Sequence, residues 1–266
     1  MGRLDGKGVL VTGSTGIGAA TAELAAAQGA RVFVVSRTPD HARELAERIG
    51  GGWAGADLAE EAEVDQAVMA AITHLGRIDG CVTVVGGSGR RYGDGPAHEL
   101  TAAAWEATER LNLRTQVLTN ARVVRAMREQ SADADGVRGS LVIIGSVTSE
   151  SPVPELFGTH AYATTKGALT ALMRSMAATY VHERIRVNLV APSLTRTPMA
   201  TRAANDAHIL EYAARKQPLA GAMLDPVEVA NAAVFFLSDE SRAVTGQRLA
   251  VDGGWSLVST TAEPAP

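Results

Sequence analysis

A tyrosine and a lysine four residues apart could carry proton-transfer chemistry in this chain. Tyr162 and Lys166 belong to an apolar stretch that predicts a helix from Ala161 to about Tyr180, and residues at this spacing share one helix face. A free phenol titrates near pH ~10, and an adjacent ammonium group would lower the pKa of the phenol. The pair therefore suits general acid–base catalysis near neutral pH, for instance at an alcohol oxygen. Because such pairs are also common surface neighbours, other features must decide between the two interpretations.

A glycine-rich turn directly follows the first predicted strand, Gly8–Thr12. An alanine-rich helix then runs to Gln28. Strand, glycine turn and helix together place a diphosphate at a helix N-terminus, where free N–H groups and the helix dipole attract its charge. The residues of the turn that we expect to contact a dinucleotide are Gly13, Ser14, Thr15, Gly16, Ile17 and Gly18.

The end of the second predicted strand, Arg31–Ser36, indicates which dinucleotide is bound. An acidic residue there would accept a hydrogen bond from a free ribose 2′-hydroxyl and favour NAD. This chain instead reads Ser36-Arg37-Thr38, and an arginine can pair with a 2′-phosphate. We therefore predict that these three residues bind NADP(H), with NAD(H) as the alternative. The competing interpretation is that Arg37 faces solvent.

Strands and helices alternate along the whole chain, which predicts an α/β fold with a doubly wound parallel sheet and helices on both faces. Residues 1–258 are expected to form one catalytic domain, in which the polar insertion 196–223 is a substrate lid and 259–266 is a flexible tail. A long helix is predicted from Thr101 to about Gln130, with Asn112 in its interior. Further predicted strands lie at Trp53–Leu58, Gly80–Val85, Ser140–Ile144, Ile185–Ala191 and Arg248–Asp252.

Composition excludes several classes of function for this chain of 266 residues. A net charge of −4 gives no basic surface for nucleic acid, and no apolar run approaches membrane-spanning length. The single cysteine, Cys81, fits a reducing compartment, and the first residues lack the apolar core of a signal peptide. We expect a cytoplasmic protein with a small-molecule substrate, and no cluster of metal ligands stands out.

Taken in order, these motifs resemble the short-chain dehydrogenase/reductase family, over about Gly6 to Val258. Val34–Thr38 is also similar to NADPH-using carbonyl and ketoacyl reductases of that family. The resemblance implies a Rossmann-type sheet of about seven strands and a homotetramer or homodimer. The matching residues are Thr12 and Gly13, Gly16-Ile17-Gly18, Asp57-Leu58, Asn112, Ser146, Tyr162 with Lys166, Arg186-Val187-Asn188, Pro192, Thr197-Pro198, Thr245-Gly246-Gln247 and Asp252-Gly253-Gly254.

The resemblance also implies roles for four residues in hydride transfer between a nicotinamide and a ketone or aldehyde. Tyr162 would be the general acid in reduction and the base in oxidation. Lys166 would lower the pKa of Tyr162 and hold the nicotinamide ribose, and Ser146 would hydrogen-bond the substrate oxygen. Asn112 would hold a water that relays protons. Further cofactor contacts are expected from Asp57, Leu58, Gly86, Gly87, Pro192, Leu194, Thr195 and Thr197.

The chain departs from the family pattern at four places. The glycine turn has two residues rather than three between Gly13 and Gly16, and Thr83-Val84-Val85-Gly86 stands where the family has Asn-Asn-Ala-Gly. Ser193 stands where the family has glycine. The loop between Ser146 and Tyr162 is longer than usual, so that Ser149 is a rival for the catalytic serine.

Three functions stay open at this point. The first is reduction of a ketone or aldehyde, the second is reduction of a C=N or C=C bond on the same fold, and the third is a non-catalytic dinucleotide sensor. Arg90 and Arg91 could hold an anionic substrate or face solvent or a neighbouring subunit, and His160 could line the pocket or lie at the surface.

Overall fold

The computed structural model describes residues 2–133 and 136–259; residues 260–266 of the expected tail lie outside this range. Its described part contains a parallel sheet of seven strands in the order β3-β2-β1-β4-β5-β6-β7, which confirms the predicted Rossmann-type topology. The strands are β1 Gly8–Thr12, β2 Arg31–Ser36, β3 Gly52–Gly55, β4 Gly80–Thr83, β5 Gly139–Ile144, β6 Ile185–Pro192 and β7 Arg248–Val251.

Helices cover both faces of the sheet, as the near-continuous apolar strands require. One buried core joins a sheet face to α3, α5 and α7, and a second joins the other face to α1, α2 and α10. Among the described residues, no helix is both long and apolar enough to cross a membrane. The helices are α1 Ile17–Ala27, α2 Pro39–Ile49, α3 Glu61–Leu75, α4 Ala102–Glu109, α5 Thr115–Glu129, α6 Pro154–Phe157, α7 His160–Tyr180, α8 Thr201–Ala204, α9 Ala207–Lys216 and α10 Pro226–Leu237.

The strand order reverses between β1 and β4, where ligands of such sheets bind. The two strands are parallel neighbours that end together at Thr12 and Thr83. Thr12 Oγ1 accepts the N–H of Val84 at 3.0 Å, which holds the segment after β4 against β1. The crevice for a ligand therefore begins where the segments that follow these two strands separate.

The helix predicted over residues 101–130 is not continuous. A π-helical turn, Arg110–Arg114, separates α4 from α5 and contains Asn112. The Asn112 side chain donates to the carbonyl of Thr108 at 3.0 Å, one turn earlier, and to Gly87 outside the helix. π-Bulges are frequent at functional sites. The turn therefore aims Asn112 at the loop after β4.

Residues 196–223, predicted to be a lid, leave the sheet and return at neighbouring points. Thr195 and Leu224 pair as an isolated parallel bridge, and the insertion between them contains α8 and α9. Gln217, fully buried at the end of α9, accepts a hydrogen bond from Ser193 Oγ at 2.7 Å and donates to the Leu194 carbonyl at 3.1 Å. Ser193, one of the departures from the family pattern, is thus held by the lid; the lid's role stays a prediction.

Candidate active site

Two adjoining cavities lie at the carboxyl ends of the strands, and together they hold most of the predicted site residues. The larger has a volume of about 650 Å³ and the smaller about 330 Å³. Thr15, Arg37 and Gly86 line both. The larger is also lined by Gly16, Ile17, Gly87, Ser146, Tyr162, Lys166, Pro192, Leu194, Thr195 and Thr197, and the smaller by Gly13, Ser14, Ser36, Thr38, Asp57 and Leu58. Gly18 and Asn112 line neither cavity.

Tyr162 and Lys166 lie side by side on α7, with Lys166 Nζ 5.7 Å from the centre of the phenol ring. Lys166 is buried and donates to the Ile144 carbonyl at the end of β5, at 3.0 Å. Burial lowers the pKa of Lys166 to about 8, because the low-dielectric surroundings disfavour the charged form. The lysine is therefore a cation whose charge is lost at mildly alkaline pH.

The pKa of Tyr162 differs in direction from the sequence-based expectation. Burial raises the pKa of the phenol, and a hydrogen bond with Ser146 opposes this only in part. The reason is that removal from water disfavours the phenolate more than the hydrogen bond with Ser146 favours it. At neutral pH Tyr162 is therefore a protonated phenol, which is the form that can donate a proton.

The structure separates the two candidate serines in the loop after β5. Ser146 is buried, lines the larger cavity, and accepts hydrogen bonds from the N–H and the hydroxyl of Thr148 at 3.2 and 2.9 Å. Its own hydroxyl proton is thus free to point towards Tyr162. Ser149 instead donates its hydroxyl to the Ser146 carbonyl at 3.1 Å. The geometry therefore favours Ser146 over Ser149.

Asn112 contacts the loop after β4 rather than the cavities. Its Oδ1 accepts the Gly87 N–H at 3.0 Å and its Nδ2 donates to the Gly87 carbonyl at 2.9 Å. Both N–H groups of the amide are used, the second by Thr108. Asn112 therefore positions the Gly87 backbone, which lines the larger cavity, and a proton-relay role for it stays a prediction.

Gln116 on α5 supplies the amide that the departure after β4 removes. Its Nε2 donates to the carbonyls of Val85 and Ile144 at 3.2 and 3.4 Å, and its Oε1 accepts the Thr83 hydroxyl at 3.1 Å. These contacts link the ends of β4 and β5 beneath the site. Sequence reasoning missed Gln116 because its partners are some 30 residues away in the chain.

Asp94 is a second residue that the sequence did not single out. It is buried, and its two carboxylate oxygens accept the N–H groups of Ala161 and Tyr162, each at 2.9 Å. These are orphan donors of the first turn of α7, and a carboxylate at that position also complements the helix dipole. Asp94 therefore fixes the end of the helix that carries Tyr162. His160, at the same helix start, is exposed and lines neither cavity.

Arg110 and Asp57 both line the smaller cavity and form an ion pair. Burial alone would raise the pKa of Asp57, but the Ala59 N–H, the Arg110 guanidinium at 3.1 Å and the charge of Arg37 together lower it. Arg110 also pairs with Glu60 at 2.5 Å. Arg37, by contrast, forms no ion pair within residues 2–133 and 136–259. Its guanidinium is therefore available to an anionic ligand.

The glycine turn brings the start of α1 into contact with the start of the lid. Gly16 has φ 53°, and a Cβ there would lie 2.8 Å from Thr197 Cγ2, so a side chain at this position would be excluded by strain and by contact. The first turn of α1 has neither a side-chain cap nor an acidic residue. Gly18 packs against the Gly13 carbonyl, so its role is to let the helix approach the turn.

The residues present fit a dinucleotide. The cavities meet at the uncapped N-terminus of α1, where free N–H groups and the dipole suit a diphosphate. Arg37, which forms no ion pair with any residue that the structure describes, lines both cavities, and the Tyr162, Lys166 and Ser146 side chains line the larger one. A nucleotide in the smaller cavity and a nicotinamide in the larger one would occupy the crevice at which the strand order reverses.

Comparison with known proteins agrees with this geometry. The enoyl-(acyl carrier protein) reductase family model matches residues 11–256. The chain is 34% identical over 261 residues to short-chain dehydrogenase reductase 3a of Arabidopsis thaliana, covering 96% of this chain and 97% of the relative. It is 32% identical over 266 residues to 2-(S)-hydroxypropyl-CoM dehydrogenase 3 of Xanthobacter autotrophicus, covering 96% and 99%. A 3-ketoacyl-(acyl-carrier-protein) reductase from Brucella melitensis, solved with NADH, superposes with a TM-score of 0.84 at 27% identity, covering 96% and 100%.

Proposed function

The chain belongs to the short-chain dehydrogenase/reductase family of oxidoreductases, and we propose that within it the chain is an NADP(H)-dependent reductase of ketones or aldehydes, reversible as an alcohol dehydrogenase. The observation that carries this proposal is that Tyr162, Ser146 and Lys166 line the larger cavity. The smaller cavity, which would hold the nucleotide, adjoins it. The nicotinamide, when bound, supplies the hydride in reduction and accepts it in oxidation.

The chain's own residues supply the proton and the polar contacts. In reduction the protonated Tyr162 phenol donates its proton to the developing alkoxide of the substrate, and Ser146 donates a hydrogen bond to the same oxygen. Such donors stabilise charge that develops in the transition state. The Lys166 cation stabilises the phenolate that remains, and its bond to Ile144 holds it beside Tyr162. In oxidation Tyr162 takes the proton back.

The choice of NADP(H) rests on Arg37. This guanidinium is unpaired within the described ranges, and it lines both cavities at the end of β2, where a ribose 2′-phosphate would lie. NAD(H) is the alternative, and it is the cofactor in the structure of the Brucella relative. We infer further that the enzyme works in the cytoplasm, where its single cysteine stays reduced.

Two other functions have specific support. The description of the matching family model refers to an enoyl compound, which favours C=C reduction as the second candidate, with C=N reduction beside it. The shortened glycine turn favours a non-catalytic dinucleotide sensor.

The name of the Xanthobacter relative refers to a hydroxypropyl compound, and this supports the alcohol–ketone pair for the present chain.

A panel of ketones, aldehydes, imines and enones assayed with NADPH and NADH tests the proposal. We expect the wild type to oxidise NADPH on carbonyls, and Arg37→Ala to raise KM for NADPH by about tenfold, as loss of a charge-assisted contact predicts, with NADH unaffected. Arg31→Ala, at the opposite end of β2, is the control and should change neither KM. A wild-type preference for NADH would contradict the cofactor assignment, and turnover of enones or imines alone would contradict the substrate class.

A further inference from the structure

Two arginines from different segments meet at the rim of the larger cavity. Arg90 Nη2 and Arg202 Nη2 donate to the same carbonyl oxygen, that of Leu156, at 3.0 and 3.1 Å. Arg90 belongs to the loop after β4, Leu156 to α6, and Arg202 to α8 in the lid. The two nitrogens are thus within about 6 Å of each other, a distance at which like charges repel.

No carboxylate among residues 2–133 and 136–259 forms an ion pair with either arginine. The pKa of Arg90 is lowered first by burial and then by the charge of Arg202, and Asp94 opposes this shift. The Asp94 oxygens accept the N–H groups of Ala161 and Tyr162, and Asp94 is not within ion-pair distance of Arg90. The rim therefore holds two positive charges whose remaining N–H donors have no anionic partner in the described chain.

The cavity that both arginines line is largely apolar. Phe157, Met199 and Trp255 line it, as do Ser146 and Tyr162. Trp255 is buried and packs against Phe157, with ring centroids 6.0 Å apart. One cavity is thus lined by the polar side chains proposed to react, by apolar side chains and by the two arginines.

We propose that Arg90 and Arg202 form an anion-binding site for the substrate, which is accordingly a carbonyl compound with an apolar body and a carboxylate or a similar anionic group away from the carbonyl. This proposal rests on the proposed reductase function. Guanidinium groups suit carboxylates because their planar forks donate two parallel hydrogen bonds. An anion bridging the two arginines would also relieve their mutual repulsion and join the lid to the loop after β4.

A matched pair of ketones tests the site. 4-Acetylbenzoate is an anion at neutral pH, and 4-acetylbenzamide is a neutral molecule of nearly the same shape. We expect kcat/KM of the wild type to be about tenfold or more higher for the benzoate than for the benzamide. Arg90→Gln and Arg202→Gln should each lower kcat/KM for the benzoate by about tenfold, as loss of a charge-assisted bond predicts. They should change kcat/KM for the benzamide little.

Arg91→Gln is the matched control. Arg91 lines the same cavity, but its guanidinium lies 4.6 Å from the centre of the Tyr92 ring. Removal of its charge should therefore leave the preference for the benzoate over the benzamide unchanged. An equal loss in all three variants would overturn the site in favour of a general effect of charge. Equal turnover of both ketones by the wild type would also overturn it, while leaving the reductase function standing.

Binding distinguishes failure of the site from failure of the proposed function. If neither ketone is reduced, the reductase function fails for this substrate type, and calorimetric titration of the cofactor-loaded enzyme with 4-acetylbenzoate decides the site. Binding that weakens about tenfold in Arg90→Gln and Arg202→Gln but not in Arg91→Gln would support it. Unchanged or undetectable binding would overturn it.

Discussion

Lys166 supports the acid–base chemistry proposed for Tyr162, because it is a buried cation beside that phenol. Its pKa is lowered by burial to about 8, while the pKa of Tyr162 is raised, also by burial. Around neutral pH the pair is therefore an ammonium beside a neutral phenol. That is the protonation state required for reduction, in which Tyr162 gives up a proton.

The pH profile of the reduction should follow from the pKa of Lys166. Below pH about 8 the lysine is charged and stabilises the developing phenolate; above it the charge is lost, so kcat/KM for reduction should fall as the pH rises through about 8. Steady-state kinetics between about pH 6 and 10 measure this. Lys166→Met should be slow at every pH and lose the transition, whereas a wild-type rate that stays constant through this range would contradict the assignment.

Residue spacing predicted that Tyr162 and Lys166 share one helix face, because one helix turn separates them. Ser146, at the end of a strand, was implied by the family resemblance instead. Asp94 and Gln116 could not be predicted in the same way. Their hydrogen bonds reach segments 68 and 28 residues away, and nothing in the neighbouring sequence marks such partners. The direction of the Tyr162 pKa shift also needed the structure, since it depends on burial.

At the scale of elements, the start of α7 matters most for the site, since it sets the position of Tyr162. Thr159, at the N-cap, makes no side-chain capping bond, and Asp94 supplies two bonds from another loop instead. The loop that carries Arg90 is therefore tied to the helix that carries Tyr162.

Removal of this contact should affect both stability and catalysis. Asp94→Ala leaves two N–H groups without an acceptor. Each hydrogen bond to a charged group contributes about 2 kcal/mol, so we expect the free energy of unfolding, measured with urea, to fall by up to about 4 kcal/mol and kcat to drop. Asp94→Asn, which keeps an oxygen acceptor, should lose less of both.

The control for this prediction is Asp225→Ala, which removes the cap of α10 on the other face of the sheet. Asp225 accepts the Val227 N–H at 3.0 Å, so its loss should cost about 1 kcal/mol and leave kcat unchanged. If Asp94→Ala were as stable as the wild type, the two hydrogen bonds that Asp94 accepts from the start of α7 would contribute nothing to stability.

Most elements could be predicted from alternation and apolar runs, but some boundaries and one interruption could not. The third strand was expected to reach Leu58, yet β3 ends at Gly55, which leaves Asp57 in a loop where it accepts the Ala59 N–H and binds Arg110. In the π-turn, Asn112 contacts Gly87 on another segment. Neither contact leaves a local signal in the sequence.

Across the whole molecule, the exposed face of α7 bears on assembly. Ala171, Ser175 and Ala178 are exposed at helical spacing on that face, and small side chains allow close helix packing. Small exposed side chains at this spacing support the predicted homotetramer. Light scattering at micromolar concentration should give the mass of four chains, and Ala171→Arg should reduce it. A monomeric mass for the wild type would contradict the prediction.

The central claim is that Tyr162 exchanges the proton with the substrate oxygen, and Tyr162→Phe tests it most directly. The substitution keeps the ring and removes the hydroxyl, so kcat for carbonyl reduction with NADPH should fall by about 100-fold or more, the range of general acid catalysis. The dissociation constant for NADPH, measured by fluorescence titration, should stay within about threefold of the wild type. Turnover close to that of the wild type in Tyr162→Phe would contradict the account.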